Sequence, residues 1–212
     1  MMGRWCQVTA ELLARIRARP ALLDDLLNAQ LAGRVAGGTF PESFRAMLAK
    51  GPELASRLPA EHREEFLEQL RAMQAAAEGG PRTAPEGTGP AIDLEKAWHG
   101  VHYLLTGSAE PTGSELDGAV LGGREIGPDR GYGPVRYLEP PEVASLAKAL
   151  DGITAERLRS AYDPEAMASA GIYPGGWDDP ENLEWLAESF AELQRFYRDA
   201  ADRKAAVLLY IQ

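Results

Sequence analysis

DPENLEWLAESFAELQRFYRDAADRKAAVLLYIQ, residues 179–212, changes its hydrophobic period once, and that change decides the fold class. Asp179-Pro180 is a helix-opening pair: the aspartate accepts from the first unpaired N–H groups, and proline has none to satisfy. Leu183, Leu186, Phe190, Leu193 and Tyr197 then recur at steps of three and four, the stripe of a helix with one buried face. Arg203-Lys204 lies at the negative end of that helix's dipole. From Ala205 to Ile211 the run is continuously apolar, which suits a central strand buried on both faces. A long amphipathic helix feeding a doubly buried strand predicts a mixed fold. We expect α+β, or three-layer α/β: mostly helical, one domain over residues 1–212, around a small sheet with a C-terminal strand.

The rest of the chain fits that frame. Arg4 to Val8 reads as a short strand, and Thr9 caps a helix carrying Leu12, Leu13 and Ile16 that Pro20 interrupts. Leu22, Leu23, Leu26 and Leu27 continue at helical spacing to Gly33. Residues 37–77 hold short helical pieces, the last with Phe66, Leu70 and Met73 on one face. Between Gly79 and Pro90 seven of twelve residues are Gly or Pro, which reads as a loop. Asp93 then looks like the cap of a helix with Leu94, Ala97, Trp98, Val101 and Leu105, stopping at Gly107. Ser108 to Gly133 reads as an irregular connection and Pro134 to Leu138 as a strand. Pro140-Pro141 opens a helix with Val143, Leu146, Ala147 and Leu150 inward; Thr154 and Asp163-Pro164 cap two shorter ones.

The charge balance is 32 acidic against 22 basic side chains, a formal −10. A nucleic acid or an anionic membrane surface needs a basic face, so neither is an expected partner. The lone cysteine, Cys6, allows no intrachain disulfide, no apolar stretch reaches bilayer length, and the first residues lack a signal-peptide h-region. These features predict a cytoplasmic protein. Arg outnumbers Lys 18 to 4 beside 34 Ala, a bias of GC-rich coding rather than of function.

Several segments together resemble one bacterial family. Trp98-His99-Gly100-Val101-His102-Tyr103-Leu104-Leu105-Thr106-Gly107 is similar to the Trp-x3-His-x3-Thr-Gly helix of the YfbM-like proteins, a family of unknown function. Ala119 to Gly123, Tyr132 to Leu138 and Gly171 to Pro174 resemble its later landmarks, in the same order. The resemblance spans roughly residues 1–32 and 92–212, and implies an α+β or three-layer α/β domain without established catalytic residues. Residues 33–91 depart from it by their length and read as a helical insertion with a Gly/Pro-rich loop, which a surface connection tolerates.

Candidate chemistry is sparse. His99 and His102 have a spacing at which two imidazoles could converge on a metal. With Leu94 at zero, however, His102 projects at about 80°, beside the apolar stripe, and His99 at about 140°, toward solvent. No third ligand is nearby, so no metal is expected, and His102 reads as a partly buried imidazole bonded to backbone. Arg136, on a strand after the Tyr132-Gly133-Pro134 turn, could clamp a carboxylate or phosphate; the plainer reading pairs it with a structural acid. Tyr173 and Trp177 flank Gly175-Gly176 and could line a ligand pocket or pack on the long helix. Cys6 lies on an apolar segment without an activating base. No dinucleotide fingerprint, P-loop, G-x-S-x-G or C-x-x-C is present, so neither a cofactor nor a catalytic set is expected.

Two functions follow as expectations. The first is a non-catalytic interaction or binding protein with a protein partner. The second is an enzyme or small-ligand receptor whose cleft gathers His102, Arg136 and Tyr173, Arg136 holding an anion and His102 moving a proton. The apolar faces read equally as core or interface, which leaves the oligomeric state open.

Overall fold

The computed structural model describes residues 1–34, 63, 66, 67 and 84–212, and these fall into two compact units. The larger comprises Met1–Pro20 with Gly87–Gln212, and the smaller Ala21–Glu86. The described residues contain seven α-helices and five strands, an α+β fold with a C-terminal strand.

The larger unit is organised by its last strand. β1 (Gly3–Val8), β2 (Thr88–Glu95), β3 (Arg124–Ile126), β4 (Val135–Leu138) and β5 (Ala206–Ile211) form one antiparallel sheet in the order β2-β1-β5-β4-β3. β5 is central and all six of its residues are buried, as its unbroken apolar run requires. Val207, Leu209 and Ile211 face a cluster built on α3 (Trp98–Thr106), α4 (Pro140–Asp151) and α7 (Glu181–Asp202). Ala206 and Leu208, on the opposite face by the strand's period of two, are also fully buried.

The helix boundaries follow their local signals. α1 (Ala10–Ala18) begins where Thr9 accepts the Leu12 N–H at 3.2 Å. α4 has prolines in its first turn, and Glu142 reaches back to the Glu139 N–H at 2.7 Å. Thr154 caps α5 (Ala155–Ala161) and Asp163 caps α6 (Pro164–Ser169). α7 buries Leu186, Phe190, Leu193 and Tyr197 as its stripe predicts; Leu183 is half-buried and Phe196 and Ala200 complete the face.

The helix predicted from Asp93 is a correction. Asp93 and Leu94 belong to β2, and α3 starts only at Trp98. β1 would otherwise have an unpaired edge, and pairing with it outweighs the helical spacing of Leu94. Arg4 of β1 also pairs with Asp93 at 3.1 Å, with both side chains largely buried. Asp93 does make a cap-like bond, to the Glu95 N–H at 2.7 Å, at the turn that ends the strand. The Gly/Pro-rich loop likewise stops earlier than predicted, since Thr88 to Pro90 are strand residues. β3 lies within the stretch read as irregular, being too short for any periodicity to mark it.

Of the smaller unit, α2 (Leu22–Arg34) carries Leu22, Leu23, Leu26 and Leu27 as its buried face. The face read from Phe66, Leu70 and Met73 lies, apart from Phe66, outside the described residues.

Candidate functional site

A groove of about 860 Å³ opens where the helix-covered side of the sheet reaches β3 and β4. Its walls are a 3-10 turn at Glu115–Ala119, the β3–β4 ladder, and Glu142, Ser145 and Leu146 of α4. One row of cross-strand neighbours runs from Ile92 through Trp5, Leu209 and Arg136 to Glu125. The row is apolar until Leu209; Arg136 is the position at which the core ends and the groove begins.

The first wall is fixed by a carboxylate. Asp117, 4% exposed, accepts the Thr112 N–H at 2.8 Å, the Gly113 N–H at 2.6 Å and the Thr112 hydroxyl at 3.2 Å. Its own backbone carbonyl accepts from Val120, Leu121 and Gly122 at 3.0, 2.9 and 2.6 Å. Gly122 is required by space: a Cβ there would lie 2.7 Å from the Gly118 nitrogen. From beneath, the Trp5 indole donates to the Ala119 carbonyl at 2.8 Å and the Tyr197 hydroxyl to the Gly118 carbonyl at 3.0 Å. Burial raises the Tyr197 hydroxyl well above the usual phenol pKa, so it remains a donor. Ala119 to Gly123 is therefore a backbone wall held from three directions.

Most groove charges are engaged. Arg124 pairs with Glu142 and Glu139 and stacks over the Tyr137 ring, 4.9 Å from its centroid. Ser145 donates its hydroxyl to Glu115. Arg136 is half-buried, and among the described residues its side chain makes no ion pair or hydrogen bond. The expected pairing of Arg136 with a structural acid is therefore corrected: Glu125 stands opposite it on β3 without bonding to it.

The other predicted site residues lie elsewhere. His102 is wholly buried in α3, with Nε2 3.3 Å from the Glu110 carbonyl and Nδ1 without a partner. Desolvation lowers its pKa, outweighing the Glu110 carbonyl and the Asp117 charge, so the ring is neutral and donates through Nε2. His99 does not point to solvent as its projection predicts. Its Nε2 meets the Ala109 carbonyl at 3.0 Å, its Nδ1 accepts the Tyr173 N–H at 3.0 Å, and its ring stacks on Trp98. The reason is the phase of α3, which starts four residues after Leu94. Both histidines thus fasten α3 to neighbouring loops, and among the described residues no group of three His, Cys, Asp or Glu side chains could hold a metal.

Tyr173 accepts from the Met1 ammonium at 3.2 Å and stacks near Trp98. Trp177, 1% exposed, donates to the Ile172 carbonyl at 2.8 Å and stacks on Trp185; it is a core residue, not a pocket wall. Cys6 is buried in β1. The groove therefore contains Arg136 but not His102, Tyr173 or Trp177. Sequence reasoning missed Asp117, whose surroundings of Thr, Gly and Ser read as an ordinary exposed turn.

No curated protein matches the chain. A solved structure, the crystal structure of a protein of unknown function, YfbM, from Escherichia coli, is similar with a TM-score of 0.55 at 15% identity. The likeness covers 99% of this chain and 98% of that one, and at such identity speaks for the fold alone. A family model described as a domain of unknown function, DUF1877, matches residues 1–210. With that match spanning nearly every residue and the YfbM-like fold beneath it, the chain belongs to the DUF1877 family.

Proposed function

We propose that this protein is a non-catalytic binding protein of the cytosol, and that the groove takes a carboxylate-bearing ligand on Arg136. The observation that carries the reading is half-buried Arg136 at the end of an apolar sheet row, its guanidinium without an ion pair or hydrogen bond among the described residues. A guanidinium stripped of part of its water and given no internal acid gains most from a planar anion, to which it can donate two parallel hydrogen bonds. The walls around it suit binding rather than proton transfer: Asp117, Glu115 and Glu142 are engaged in holding the turn, Ser145 and Arg124. The lone, buried Cys6 accords with a reducing compartment.

The test is a pair of titrations followed by 1H–15N NMR, with glutarate and with its neutral diamide. Glutarate should shift amides at residues 113–124 and 136–146, with millimolar affinity, and the diamide should not. Arg136→Gln should abolish the response. Equal shifts from both compounds, or glutarate shifts that survive Arg136→Gln, would overturn the reading.

A further inference from the structure

We propose that the groove and the loop beside it receive an extended acidic segment of a partner protein, its carboxylate on Arg136 and an apolar neighbour against Tyr132. The inference rests on the reading of Arg136 just given and adds the class of ligand. Tyr132 is 52% exposed, and Met1 and Met2 are the other exposed large hydrophobic residues among those described. It sits in the loop joining β3 to β4, and that loop is ordered by its own bonds. The Asp129 carboxylate accepts the N–H groups of Gly131 at 2.7 Å and Gly133 at 3.2 Å, and the Arg130 N–H donates to the Gly133 carbonyl. A ring displayed on a preformed turn loses little conformational freedom on binding, and Tyr and Arg are the side chains that dominate interface energetics. Arg136 lies four residues after Tyr132, and its guanidinium reaches back to the same turn: a Cβ on Gly133, the residue next to Tyr132, would lie 3.6 Å from an Arg136 Nη atom.

The sheet supplies the reason for an extended segment. β3 is an edge strand, so alternate backbone groups of Arg124–Ile126 point away from β4. A peptide adding to that edge would gain main-chain hydrogen bonds and place alternate side chains toward the groove. Charge complementarity selects its sequence. Arg136 lies one strand further in than Glu125, so the acid that reaches it stands diagonal to Glu125, and the exposed Glu125 disfavours an acid directly opposite itself.

The experiment is a random peptide display selection on the full chain, followed by fluorescence anisotropy with the best synthetic peptide. Enriched peptides should share a single Asp or Glu flanked by apolar and β-branched residues. Arg136→Gln and Tyr132→Ser should each weaken binding about tenfold or more, as anchor residues do. Exchanging the peptide's acid for its amide should weaken binding to the parent chain and add little on Arg136→Gln. Unchanged melting temperatures are expected for both variants, since among the described residues neither side chain makes a hydrogen bond or ion pair. Selection without acidic enrichment, or a peptide indifferent to Tyr132→Ser, would overturn the proposal, while the glutarate response would still stand if Arg136 binds small carboxylates. Loss of that response as well would remove both readings.

Discussion

At the scale of single residues, the groove depends on groups that never touch a ligand. Asp117→Ala would leave the Thr112 and Gly113 N–H groups without an acceptor and cost about 2–4 kcal/mol, read from urea unfolding. Two glycines separate steric from conformational need. Gly122→Ala drives a methyl against backbone at 2.7 Å, which cannot rotate away, and should cost about 1–3 kcal/mol. Gly107 has φ 72° at the end of α3 with nothing near its Cβ position, so Gly107→Ala should cost about 1–2 kcal/mol through backbone strain alone, and Gly107→Asn less. Equal losses for Ala and Asn at that position would refute the conformational account. His102 gives a pH dependence of definite sign. Its folded pKa lies below 6.5, the unfolded value, and the titratable groups facing it are Asp117, His99 and Glu110. The unfolded chain therefore takes up the extra proton, so this contribution is whole above about pH 6.5 and is lost as pH falls through it toward the folded pKa. Denaturation curves at successive pH values should show a steeper acid loss in the parent than in His102→Gln; parallel curves would mean that water reaches the ring.

At the scale of elements, what the sequence reveals depends on whether an element's stability is local. α1, α4, α5, α6 and α7 carry caps and stripes within themselves and appear where those signals place them. β5 was legible because a strand buried on both faces needs apolar residues at every position. β2 was not. Its residues Thr88–Glu95 are half Gly, Pro and acid, and it is a strand because β1 offers it an edge ninety residues away. Its consequence is testable at Gly3, where a Cβ would lie 2.6 Å from the Trp98 Cβ. Gly3→Val should force β1 and α3 apart, lowering the melting temperature and releasing the Trp98 fluorescence from its buried environment. An unchanged emission maximum would show that this corner yields.

At the scale of the whole molecule, the candidate site was legible only in part, for a physical reason. Arg136 could be singled out as a strand-borne guanidinium after a glycine turn. That its neighbours in space are Glu125 and Leu209, rather than His102 and Tyr173, is fixed by strand order, which no local pattern encodes. Net charge, by contrast, is read directly from the sequence and acts at long range. A chain of formal charge −10 repels an acidic segment during approach, although Arg136 attracts it at contact. Screening removes the distant repulsion first, because the Debye length shrinks from about 30 Å at 0.01 M salt to about 10 Å at 0.1 M. The association rate of the selected acidic peptide, measured by stopped-flow anisotropy, should therefore rise between those salt concentrations. The dissociation rate should rise too, and more steeply at higher salt, as the contact with Arg136 is screened in turn. A rate of association that falls monotonically with salt would mean that the local field around Arg136, not the net charge, governs the encounter.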